Sequence, residues 1–131
     1  MRSISSPRER SAPRRYRGVD LHGDAVEGEF VGMTLVVAVK EDCLGCRSVF
    51  ESSADAFGDV TTLLVAARAS KEPWWGETHH RLVISERLLA DLDIRFPPSY
   101  VVIDATRATV VCEGAVFGPE QVKEEIAAYL M

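Results

Sequence analysis

Apolar positions along the chain fall into short continuous runs separated by polar, turn-rich stretches, and the period changes from run to run. Thr34 to Val39 (TLVVAV) is an unbroken apolar run rich in β-branched residues. A strand buried on both faces fits it, hence a central strand of a sheet covered by helices. Lys40, Glu41 and Asp42 end the run. From Cys46 to Phe57 the spacing becomes helical: Val49, Phe50, Ala54 and Phe57 share one side, with Arg47, Glu51 and Asp55 opposite. Gly58 stops that helix, and Thr61 to Ala67 (TTLLVAA) reads as a second buried strand. Strand, helix, strand in this order implies a right-handed crossover between parallel strands.

Arg68 to Arg81 is irregular, with Pro73, Gly76, two tryptophans and two histidines. Leu82 to Ile84 suits a short strand, and Ser85 caps a short helix bearing Leu88, Leu89 and Leu92. Pro97 and Pro98 break the chain before a third strong strand, Tyr100 to Ile103. Turn residues Asp104 to Arg107 lead to Thr109–Cys112, which pairs back as an antiparallel hairpin. Gly114 to Gly118 is a connector with Phe117 as its apolar anchor. Pro119 opens a last helix whose buried stripe is Val122, Ile126, Tyr129 and Leu130. Upstream, residues 19–32 are turn-rich with a short edge strand near Ala25–Phe30. The sum is an α/β domain: a central mixed β-sheet, one half parallel and one half an antiparallel hairpin, flanked by helices.

The length, 131 residues, is that of one domain, and 47% hydrophobic with 27% charged residues is a globular composition. No apolar run nears the ~18 residues of a membrane helix. The basic first residues lack the apolar stretch of a secretory signal, so a cytoplasmic location is expected. Residues 1–17 hold six arginines (Arg2, Arg8, Arg10, Arg14, Arg15, Arg17) against Glu9, a net +5; since the whole chain is at −5, the other 114 residues carry −10. Residues 1–17 therefore read as a disordered basic arm and 18–131 as the folded domain. An acidic body argues against nucleic acid as the partner.

Three cysteines, Cys43, Cys46 and Cys112, are too few for a disulfide framework and leave one close pair with one solitary thiol. Cys43-Leu44-Gly45-Cys46 falls where the central strand hands over to a helix. Unpaired backbone N–H groups and the positive end of the dipole favour a thiolate there. Cys46, three residues on, can reach the Cys43 sulfur and resolve a mixed disulfide; reversing the roles would put the attacking sulfur on the buried side. Ordinary thiols or half of a zinc site are the alternatives, but His79 and His80 are adjacent and lack the spacing of paired zinc ligands, so no metal is expected. Cys112 reads as a small buried hydrophobe. Of Trp74 and Trp75, one is expected to be exposed, because two neighbouring indoles on an extended segment cannot share a core.

From about Gly18 onward the chain resembles the thioredoxin-like superfamily, and within it the TlpA-like redoxins. The matching residues are the strand–CxxC–helix unit Thr34–Phe57 with Arg47 after the second cysteine, the segment Phe96-Pro97-Pro98-Ser99-Tyr100-Val101-Val102-Ile103-Asp104, and the closing Gly114–Leu130. The resemblance implies a thioredoxin fold and makes Pro98 the cis-proline facing the cysteines, beside which a substrate chain adds as a strand. Val37 stands where thioredoxins have a buried acid, Asp42 where they have a tryptophan, and Gly45 where many have proline. The negative charge of Asp42 opposes the helix dipole at Cys43.

The expected activity is thiol–disulfide exchange without a cofactor, on protein or small-molecule disulfides, with electrons from a donor the sequence does not identify. Cys43, Cys46 and Pro98 are the expected catalytic positions, and Asp42, Leu44, Gly45, Pro97, Trp74 and Trp75 the expected substrate contacts. A non-catalytic binding module of the same fold is the alternative. A peroxidase would want a threonine in the turn before its cysteine, and residues 39–43 have none.

Overall fold

In the computed structural model, which describes residues 10–130, eight strands form one sheet: β1 (Arg10–Ser11), β2 (Arg15–Val19), β3 (Ala25–Glu29), β4 (Met33–Val39), β5 (Thr61–Ala66), β6 (Arg81–Ile84), β7 (Ser99–Asp104) and β8 (Thr109–Ala115). The helices are α1 (Leu44–Glu51), α2 (Glu86–Asp91) and α3 (Pro119–Leu130), with a 3-10 turn at Pro73–Gly76. The strand order is β1-β8-β7-β4-β5-β6-β2-β3. β4 is central, parallel to β5 and antiparallel to β7. β5 and β6 are parallel, and β7–β8 is the antiparallel hairpin.

β4 is apolar throughout because both its faces are covered. Leu35, Val37 and Val39 point into a cluster with Val49 and Phe50 of α1 and Val122 and Ile126 of α3. Val36 and Ala38 point the other way, against Leu88 and Leu89 of α2 and Leu92 just after it. Side chains alternate across a strand, so an uninterrupted apolar run is what two covered faces require. Ser85 caps α2 as expected, its hydroxyl accepting the Leu88 N–H at 3.0 Å.

Four expectations change. The first helix does not run to Phe57: α1 ends at Glu51 with Ser52 as its C-cap, and residues 54–59 form turns, so Gly58 does not stop it. The basic arm does not extend to residue 17. Arg10–Ser11 pairs with β8 and Arg15–Val19 with β3, while Ala12 and Tyr16 are buried with Phe30 in the second cluster. Arg10 also pairs with Glu113 and donates to the Leu92 carbonyl at 2.9 Å. Ala12, just after β1, and Tyr16, in β2 between β6 and β3, are buried positions set among arginines, so they leave little apolar signal. Residues 1–9, with Arg2 and Arg8, lie outside the described part. Phe117 is no anchor: it is 73% exposed, and Val116 is the buried residue of that connector. The stripe of α3 narrows to Val122 and Ile126, with Tyr129 and Leu130 both exposed at the end of the helix.

Candidate active site

β4 runs out of the sheet at Val39, the chain turns through Lys40–Asp42, and α1 begins at Leu44. Asp42 takes a left-handed conformation (φ 61°), which a short acidic side chain tolerates better than most. Cys43 is the N-cap of α1: its extended backbone precedes the helix and its sulfur accepts the Cys46 N–H at 3.1 Å. The thiol thus occupies the place a serine or aspartate oxygen usually fills at a helix start.

The two cysteines approach to 2.7 Å at this helix start, both as free thiols. They differ in access. Cys43 is half-buried, whereas Cys46 is fully buried with Val49 and Phe50. Burial pushes the Cys46 thiol up from 9.0 to about 12, and its bond to the Cys43 side chain adds to that; the Lys40 backbone N–H on its sulfur and the Lys40 charge oppose the rise. Val37 is buried and apolar, so it provides no carboxylate beneath the pair.

Gly45 has a local reason to be glycine. A Cβ there would stand 3.0 Å from the Phe117 carbonyl oxygen, so the connector before α3 lies flush against the first turn of α1. That contact brings Phe117 beside the motif, where Leu44 is itself 86% exposed.

The Pro97–Pro98 peptide bond is cis. The register of β4 with β7 ends at Ala38 opposite Ser99, so Pro98 and Pro97 come next on β7 as Val39 and Lys40 do on β4. Pro97 shares a cavity with Val39, Lys40, Glu41 and Trp75, and the Pro98 carbonyl accepts the Val116 N–H at 3.2 Å. The proline loop, the start of α1 and the connector before α3 are therefore gathered at one end of the sheet.

Trp74 and Trp75 sit on a 3-10 turn and not on an extended segment, so both reach the same neighbour. Phe50 meets Trp74 edge-on at 5.0 Å and lies at 30° to Trp75 at 5.2 Å. Trp75 is buried and Trp74 half-buried. His80 is buried at the opposite end of α1, its Nε2 2.9 Å from the hydroxyl of Ser52, the helix C-cap. It takes no part at the cysteines. Cys112 is buried in β8 among apolar residues, and burial pushes its thiol up to about 11.

The sequence did not point to Phe117 as part of this site, nor to the Lys40 backbone amide as a partner of Cys46. A backbone donor leaves no mark in residue type. Exposure of Phe117 could have been suspected only from its place between a buried valine and a glycine. Among the described residues no group of three metal-ligating side chains occurs, and no helix is long and apolar enough to cross a membrane.

Solved structures resemble this arrangement over nearly the whole chain. The thioredoxin domain of a thiol-disulfide oxidoreductase from Bacteroides vulgatus matches with a TM-score of 0.64 at 18% identity, covering 93% of this chain and 96% of that one. A DsbF homologue from Corynebacterium diphtheriae matches at 0.66 and 15% identity, covering 98% and 93%. This is the thioredoxin fold. A secreted Mycobacterium tuberculosis disulfide oxidoreductase, homologous to Escherichia coli DsbE, shares it at a TM-score of 0.65 and 16% identity, with 86% and 95% covered. No family model and no curated protein sequence matches the chain. Within the thioredoxin fold the cysteine pair stands at the junction of the central strand and the following helix, as the sequence pattern required.

Proposed function

We propose that the chain is a thiol–disulfide oxidoreductase acting through Cys43 and Cys46. The reading rests on one observation: an accessible sulfur capping a helix, with a second, fully buried sulfur beside it. In the reducing direction the Cys43 thiolate attacks one sulfur of a substrate disulfide. That S–S bond breaks, the leaving thiolate takes a proton, and a mixed disulfide remains on Cys43. Cys46 then gives up its proton and attacks the Cys43 sulfur. The substrate's second thiolate leaves and the pair is left as a disulfide, two electrons poorer. An external dithiol or small thiol restores it; no cofactor enters. The loop at Pro97–Pro98 is the surface along which a substrate chain lies.

Reduction of insulin disulfides tests this. Cys43→Ser is expected to abolish it, and Cys46→Ser to accumulate a mixed disulfide on Cys43. Full activity of Cys43→Ser would end the proposal. The apolar Val37 and the strongly held Cys46 proton favour a second reading, a thioredoxin-fold binding module without turnover. That reading requires equal partner binding by the oxidised and reduced forms and no insulin reduction by the unmodified protein.

A further inference from the structure

The connector between β8 and α3 is held at three points. Val116 is buried, and its N–H donates to the Pro98 carbonyl at 3.2 Å. Gln121, in the first turn of α3, reaches back: its Oε1 accepts the Phe117 N–H at 2.8 Å, and its Nε2 donates to the Ala115 carbonyl at 2.9 Å. The Phe117 backbone lies flush against Gly45, where a Cβ would come to 3.0 Å from its carbonyl oxygen. The backbone that carries this ring is thereby fixed to the proline loop, to α1 and to α3 together.

The side chain is left in solvent. Phe117 is 73% exposed, and Leu44, the residue after Cys43, is 86% exposed. The two flank Gly45, Leu44 along the chain and Phe117 by contact. Isolated apolar residues are ordinary on a protein surface. Two large ones on fixed backbone, next to an accessible sulfur, form a surface that gains by being covered and loses little in becoming ordered.

Whatever binds there must bring a sulfur to Cys43. In an extended chain successive residues follow at about 3.3–3.6 Å, so the side chains flanking a substrate cysteine come within reach of the first turn of α1 and of the connector pressed against it. On the approach to Cys43 the chain exposes Lys40, Glu41 and Asp42. Charges of both signs stand together there and favour neither sign strongly, so apolar contact is the feature that discriminates.

We infer that Phe117 is a specificity-determining residue: its ring, beside Leu44, takes up a large apolar side chain that flanks the cysteine of a polypeptide disulfide. The inference rests on the oxidoreductase reading and adds a substrate preference to it.

The test uses symmetrical disulfides of Ac-Ser-Xaa-Cys-Xaa-Ser-NH2 peptides, with Xaa phenylalanine or serine, mixed in excess with the reduced protein. Each exchange oxidises the Cys43–Cys46 pair and releases two peptide thiols. Second-order rates are divided by those of the same peptides with dithiothreitol, which removes differences in intrinsic reactivity. The phenylalanine peptide is expected to react about tenfold faster than the serine peptide, as burial of part of one aromatic ring allows. Phe117→Ser is expected to bring the two within about twofold by slowing the phenylalanine peptide, and Phe117→Leu to retain most of the preference. Val31→Ser removes another exposed apolar side chain (71%), before the start of β4 and so at the end of that strand remote from Cys43; it is expected to leave the preference unchanged. Equal rates for the two peptides with the unmodified protein would overturn the inference. So would a preference that survives Phe117→Ser, or one that Val31→Ser abolishes as well. Absence of exchange with both peptides would instead overturn the oxidoreductase reading and this preference with it.

Discussion

The sulfur of Cys43 accepts the backbone N–H of Cys46 at 3.1 Å, so the outer thiol is held by the same residue whose own sulfur is sealed beneath it. One hydrogen bond fixes the helix start, aims the accessible sulfur outward and sets the order in which the two thiols meet a reagent.

That order predicts selective alkylation. Treating the reduced native protein with iodoacetamide at pH 8 should label Cys43 well before Cys46 or Cys112, since only Cys43 has access to solvent. Peptide mapping by mass spectrometry reads the outcome. Faster labelling of Cys46 or Cys112 would show that the pair is not arranged as described.

Phe50 joins α1 to both tryptophans. Phe50→Ala should destabilise the domain by about 3–5 kcal/mol through lost burial and the cavity left behind. Denaturant unfolding followed by tryptophan fluorescence checks it. A loss under about 1 kcal/mol would mean that the ring is not packed in the core.

His80 should make stability fall in mild acid. Burial, with a smaller contribution from the charge of His79, holds its imidazole below the ordinary 6.5. The unfolded chain therefore binds the proton first. This contribution is present above about 6.5 and is lost as pH falls through the lower folded value. Melting temperatures between pH 7.5 and 5 should decline in the unmodified protein and decline less in His80→Asn. Identical slopes would remove His80 from the account.

Cys46 has the opposite sign. Its folded thiol holds the proton up to about 12 against an ordinary 9.0, so its contribution is complete below 9.0 and is lost as pH rises toward 12. Cys46→Ala should lessen the alkaline loss of stability between pH 8.5 and 10.5 under reducing conditions, as urea midpoints would show. An unchanged alkaline slope would contradict the burial of that thiol.

Much of this was readable from residue pattern. Thr34–Val39 could only be a strand covered on both faces, and a cysteine pair straight after it had to lie at a helix start. Ser85, followed by a leucine three residues on, marked the start of α2. What stayed hidden depends on contacts distant in sequence. Ala12 and Tyr16 are too few to announce two strands among arginines, yet they close the second core. Trp74 and Trp75 looked divisible between core and surface until the 3-10 turn brought both to Phe50. His80 lies in the irregular stretch before β6, and what the pattern could not show is its burial against Ser52 at the end of α1. The flush contact of Gly45 with the Phe117 backbone involves no side chain at all, so no pattern of residue types could carry it.

The central claim is that Cys43 and Cys46 form one two-electron couple. Equilibration of the protein in glutathione buffers of graded ratio, acid quenching and mass analysis of the cysteines measure it directly. A single Cys43–Cys46 disulfide that appears and disappears along a two-electron Nernst curve, with Cys112 reduced throughout, is the predicted result. A pair that stays reduced across the range, or oxidation that runs through Cys112, would contradict it.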